Sequence, residues 1–259
     1  QLSATFDEPI YVQRGLERWR SGSTAGLMQL GTMPLPVDVE TLPLYLYERW
    51  QGVRLDPVGG LHKLLPWSRG FALTFWWLLL FYVGHAARSL GGPWAGRLAV
   101  ALTACEPNFL ANAALGTTDI AATACLLAFV YHFRAGRDAP WLRRVGWPAF
   151  WFAAATLAKA SGPVYGGICM IVVEAERRLK SMPSADFTDY ADSKRSLCHL
   201  RHLWNLRTRM GFGDMAQVVL LGAALVFVYC GSDWQPQASA LGWAHGLPDG
   251  PGRTAAVWL

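Results

Sequence analysis

The chain has 259 residues, with 23 Lys and Arg against 18 Asp and Glu and a formal net charge of +5. It is 53% hydrophobic and only 16% charged, where a soluble domain devotes about a quarter of its residues to charge. That balance excludes an intrinsically disordered chain and argues against a soluble globule. The apolar residues sit in blocks, near Leu78 and Leu220, and predict an all-α polytopic membrane protein whose basic surplus needs no nucleic acid.

In chain order, residues 1–69 form a first outer loop with two amphipathic helices. Asp7-Glu8-Pro9 reads as a helix start, with an acid at the cap, another in the first turn and Pro in its preferred early position. Ile10, Leu16 and Trp19, interleaved with Arg14, Glu17, Arg18 and Arg20, would lay that helix on a membrane surface. Gly31-Thr32-Met33-Pro34-Leu35-Pro36 is too rich in proline for a regular helix, and a second amphipathic stretch follows over 37–50.

Spanning about 30 Å of hydrocarbon takes about 20 helical residues. Segments 70–88, 97–114, 117–133 and 212–231 qualify or nearly do, and 147–173, broken by Lys159-Ala160-Ser161-Gly162-Pro163, reads as two short helices, a re-entrant hairpin or one long kinked span. Domain organisation follows: 1–69 outer loop, 70–175 transmembrane helices with the Lys159 break, 176–211 a basic cytoplasmic loop, 212–231 a further span, and 232–259 the start of an outer segment. Arginines at 88, 97, 134, 137, 143 and 144 and the cations of 176–211 all face the cytoplasm if the Lys159 break turns the chain around. The same alternation expects a span before Gln1, so the sequence reads as an internal fragment.

The five cysteines are far apart and suggest no disulfide framework. Cys198-His199 with His202 is the tightest grouping of metal-ligand types, though a basic loop with some His is the better account of it.

An ionisable group at membrane depth costs commonly about 2.5 to 3.5 kcal/mol, so each calls for an explanation. Asp7-Glu8, Glu106-Pro107-Asn108, Thr117-Thr118-Asp119 and Lys159 all fall near the outer boundary in this topology. Plain readings exist: Asp7 and Asp119 as helix caps, Glu106 snorkelling, Lys159 reaching lipid headgroups. Together, carboxylates facing one lysine suit a site that activates a hydroxyl while holding an anion.

Asp7-Glu8-Pro9, then Glu106-Pro107-Asn108-Phe109-Leu110, Leu115-Gly116-Thr117-Thr118-Asp119 and Leu157-Ala158-Lys159-Ala160-Ser161-Gly162, in this order, resemble the polytopic glycosyltransferases of the C superfamily. The nearest likeness is to the protein mannosyltransferase and aminoarabinose transferase-like group. The resemblance implies a multi-pass enzyme of the bacterial inner membrane that moves a sugar from a polyprenyl-phosphate donor to a protein or glycolipid hydroxyl at the outer face, with inversion. Asp7 would be the general base, Glu8 would orient the acceptor or the base, and Asp119, Lys159 and Glu106 would bind the donor, Lys159 at its phosphate. The His-Pro-Pro-Leu element of that group is absent, and residues 31–36 stand in its place. Some relatives use a divalent metal and others none, so the cofactor stays open. A transporter or flippase, with Glu106, Asp119 and Lys159 along a polar path, is the alternative.

Overall fold

A computed structural model describes residues 5, 7–180, 193–231 and 233. Every regular element among them is helical: α1 (Glu8–Ser21), α2 (Ala25–Met28), α3 (Pro34–Gln51), α4 (Leu61–Cys105), α5 (Pro107–Ala113), α6 (Thr118–Ala135), a π-helical turn (Leu142–Gly146), α7 (Trp147–Ala158), α8 (Gly162–Lys180) and α9 (Ser193–Cys230). Two helical segments, Leu61–Cys105 and Phe212–Cys230, are long and apolar enough to cross a membrane. A third candidate is the pair Pro107–Ala113 and Thr118–Ala135, bent by 113°.

α1 starts where the acids and Pro9 predict. It ends at Gly22, which takes the left-handed conformation (φ 79°) and donates its N–H to Arg18 O at 2.8 Å. α3 begins at Pro34, inside the stretch expected to be irregular. Both Pro34 and Pro36 fall in the first turn, where a missing N–H breaks no intrahelical bond. The predicted amphipathic stretch 37–50 lies wholly within this helix.

α4 is two arms joined at Gly92, which adopts φ 83° and ψ −175°. Pro93 bars an α conformation from the residue before it, and only glycine takes that φ cheaply. The second arm therefore folds back on the first: a Cβ on Gly96 would lie 2.9 Å from Gly84 O and 3.1 Å from Arg88 Cβ. Arg88 and Arg97 sit near the tip of this hairpin, as their loop position predicts.

The expected span 97–114 is instead interrupted. The second arm ends at Cys105, Glu106 is extended (φ −74°, ψ 121°) and α5 starts at Pro107. Proline again excludes the α conformation from its predecessor, and the Glu106 carboxylate supplies the new cap.

The break at Lys159 does turn the chain. Lys159 is extended (φ −154°, ψ 139°) and ends α7, and α8 starts three residues later. The region read as a basic loop, 176–211, is partly helical, since α8 runs to Lys180 and α9 starts at Ser193. The Cys198-His199-His202 side chains and nearly all of 232–259 lie outside the described residues.

α6 is the central helix. Its Ile120, Ala121, Ala124 and Cys125 pack on Phe75, Trp76 and Leu79 of α4 and on Ala154, Ala155 and Ala158 of α7. Alanines at these positions let the backbones approach closely, which is how helices gain packing energy where the solvent is itself apolar. A second cluster, with Phe129, Phe133, Phe152, Met170 and Val218, ties α6 and α7 to α8 and α9. Helices α1 to α3 form a separate layer, sealed onto the start of α4 by Val12, Leu16, Leu44, Leu64 and Leu65.

Candidate functional site

α6 has 18 residues, a length of about 27 Å at 1.5 Å per residue, and both of its ends meet charged groups. At its N-terminal end, Glu8 of α1 is 1% exposed and its two oxygens are fully engaged. Arg69 grips it with two bonds, Nε to Oε1 and Nη2 to Oε2, each 2.7 Å. Backbone N–H groups of Gly116 and Thr5 donate to it at 2.9 and 2.8 Å. Burial alone would raise the Glu8 pKa, but the Arg69 guanidinium and the two N–H donors outweigh it and hold the value at about 2. Glu8 thus clamps the first-loop helix onto the 115–117 turn that opens α6. Expected to face the acceptor, it points into the protein.

Glu40 of α3 lies against the same turn; a Cβ on Gly116 would come 3.0 Å from its Oε2. It is 2% exposed. Burial, then the charge of Glu8, raise its pKa well above the ordinary range, against a hydrogen bond with Ser68. Two buried carboxyl groups thus shift in opposite directions, Glu8 downward through Arg69 and the N–H donors and Glu40 upward through burial beside Glu8.

Asp7 is exposed, and although it occupies the N-cap position of α1 its side chain makes no capping bond. Asp119 is likewise not a cap: its carboxylate is ion-paired with the Lys159 ammonium, with side chains 54% and 46% exposed. Residues forty positions apart meet because α7 returns antiparallel to α6. Tyr11, one turn into α1, hydrogen-bonds Thr32. Burial raises its pKa, and the nearby acids Asp7, Glu40 and Asp119 raise it further. Asp7, Asp119 and Lys159 share one end of the helices, because Glu8 beside Asp7 bonds Gly116, three residues before Asp119, and Lys159 pairs with Asp119.

Glu106 is a structural residue. Its carboxylate accepts from Phe109 N at 2.7 Å and Asn108 Nδ2 at 2.9 Å, capping α5. The cap reading, weighed for Asp7 and Asp119, belongs to this third acid.

Sequence reasoning missed Arg69, Glu40, Ser68 and Tyr11. Arg69 and Ser68 stand at the start of an apolar block and read as its polar flank, and Glu40 reads as the wet face of an amphipathic helix. The one available signal was the odd density of acids in helices otherwise suited to a membrane surface. The layer has a further anchor: Tyr229 of α9 donates to Asp38 Oδ2 at 2.7 Å, with Arg18 at 3.9 Å from the same oxygen.

At the other end of α6, Arg137 (4% exposed side chain) bonds Glu174 Oε2 at 2.5 Å and lies 3.8 Å from Asp214. Arg144 and Arg178 complete this network at 3.3 Å from Asp214 and 3.2 Å from Glu174. Arg137 also lies over the Phe133 ring. The basic segments are thus bound together at the end remote from Asp119.

No group of three or more His, Cys, Asp or Glu among the described residues is placed to hold a metal ion. Comparison with known protein families, with curated proteins and with solved structures finds no match to this chain.

Proposed function

We propose that this protein is a membrane glycosyltransferase that moves a sugar from a polyprenyl-phosphate donor to an acceptor hydroxyl at the outer face of a bacterial inner membrane. Asp7 takes the proton from the acceptor hydroxyl. The acceptor oxygen attacks the anomeric carbon, the bond from that carbon to the phosphate oxygen breaks, and the lipid phosphate leaves with the electron pair, inverting the centre. Lys159, held in place by Asp119, offsets the charge that builds on the leaving phosphate.

One observation carries the reading: an exposed carboxylate that caps no helix, Asp7, shares one end of the helices with the exposed Lys159–Asp119 pair. Order of motifs along the chain and the apolar helices beneath this end add support. A polar path across a bilayer would want charge at mid-depth. The inward-facing positions of α6 midway along, Ala121, Ala124, Cys125 and Ala128, are apolar and fully buried, so transport has less in its favour.

The full-length protein, purified and supplied with polyprenyl-phosphate sugars, should transfer sugar to an acceptor. Asp7→Asn should lower kcat by on the order of 10²–10⁴-fold, the usual worth of a general base. Lys159→Gln should also lower kcat while leaving the helical content and melting temperature nearly unchanged, because an exposed ion pair adds at most about 1 kcal/mol to stability. Transfer by Asp7→Asn at the wild-type rate would overturn the assignment.

A further inference from the structure

The hairpin of α4 encloses an open groove of about 1040 Å³ between its arms. Trp77, Leu80 and Phe81 on the first arm and Val100 and Ala101 on the second make its walls, and Arg88 and Arg97 stand at one end. Arg97 lies over the Trp94 ring at 4.8 Å, and His85 stacks on Phe81 at 4.2 Å. Among the described residues neither Arg88 nor Arg97 has an ion-pair partner, and the 45 residues of α4 contain no Asp or Glu. The packed neighbour α6 carries its one acid, Asp119, at its far end. Two exposed cations therefore close an apolar trough with no carboxylate paired to them among the described residues.

The trough lies away from the Asp7 end. Arg69 of the first arm bonds Glu8, and Tyr82, thirteen residues on, bonds His132 Nε2 at 2.9 Å near the opposite end of α6. Arg88 is a further turn and a half along, near the depth of the Arg137 network. Its ligand is thus distinct from the sugar donor.

We propose that this groove holds one anionic phospholipid, its phosphate between Arg88 and Arg97 and an acyl chain along the Trp77, Leu80 and Val100 walls. Charge complementarity selects the headgroup, since each Arg near a surface favours an anionic lipid over a zwitterionic one. The apolar walls select a lipid over a free phosphate, and arginine suits phosphate through paired N–H donors. Gly84 and Gly96 let the arms meet beside the trough, since a Cβ on Gly96 would lie 2.9 Å from Gly84 O.

Native mass spectrometry of the full-length protein in micelles doped with equal phosphatidylglycerol and phosphatidylcholine tests this. Wild type should retain one phosphatidylglycerol in preference. The double variant Arg88→Gln/Arg97→Gln should lose that preference by roughly thirtyfold, the worth of two surface cations. Ala101→Trp, which fills the trough at an exposed position and keeps both arginines, should lose the adduct as well, whereas excess glycerol phosphate should not displace it. Undiminished phosphatidylglycerol on either variant, or displacement by glycerol phosphate, would overturn the site. None of these outcomes depends on sugar transfer.

Discussion

Asp7 and Glu8 are neighbours in sequence with opposite fates, because successive helical positions point about 100° apart. Asp7 faces outward. Glu8 turns into the protein, where its charge is worth much more. Its carboxyl group takes a proton only near pH 2 in the folded chain, against an ordinary value of 4.5. The unfolded chain therefore binds the proton first, and the stabilisation is whole above about pH 4.5 and drains away as the pH falls toward 2. In Glu8→Gln the partly buried Arg69 loses its counter-charge, which should cost about 3 kcal/mol at neutral pH. Thermal melts should show a lower Tm for Glu8→Gln at pH 7 and a shallower decline between pH 5 and 2 than for wild type. A variant that tracks wild type across that range would remove the clamp from the account.

Among the elements, the crossing of α1 and α3 sets the candidate site, for it carries Asp7, Glu8, Tyr11 and Glu40 together. The two helices approach closely at Gly15, where an added Cβ would come 2.8 Å from Val37 Cγ1 and closer still to the Thr41 side chain. Thr41 is pinned, its hydroxyl donating to Val37 O at 2.6 Å. Gly15→Leu should therefore spread the helices and cost at least the 1–3 kcal/mol of an overpacked core. It should also speed proteolysis of the first 60 residues while sparing α6 to α8. Cleavage at the wild-type rate would mean that the layer is held elsewhere. Nothing in the sequence marked Gly15 as a contact, since a glycine in an amphipathic helix reads equally as a weak point. The proline of the Lys159 break, by contrast, was legible, for Pro163 sits where α8 begins, whereas Pro107, read as lying within the span 97–114, opens α5. Pro34 and Pro36 misled because the same residue that breaks a helix interior opens a helix well.

For the whole molecule, the α6–α7 hairpin fixes which groups share an end. The ion pair of Asp119 with Lys159 and that of Arg144 with Asp214 close opposite ends of it. Asp214 and Asp233 stand at the two ends of the apolar part of α9, the latter accepting from Thr24 N at 3.2 Å. With the five cysteines replaced, Thr117→Cys and Arg143→Cys should react with a membrane-impermeant maleimide from opposite sides of sealed vesicles. Reaction of both from one side would put the Asp7 end and the arginine end on the same face and leave no place for a lipid-carried donor.

The sequence by itself determined that the chain is helical and apolar enough for a membrane, where α1 starts, that the chain reverses between Arg88 and Arg97, and that the apolar run 147–173 breaks at Lys159. These are local matters of hydropathy, dihedral preference and missing N–H groups, which neighbouring residues suffice to set. Only the tertiary structure decided which acids are free and which are spent. Asp7 and Asp119 look like caps and are not; Glu106 is one; Glu8 is spent on Arg69, sixty-one residues away. A carboxylate's role follows from its partner and its burial, and both are properties of helix packing across long stretches of chain.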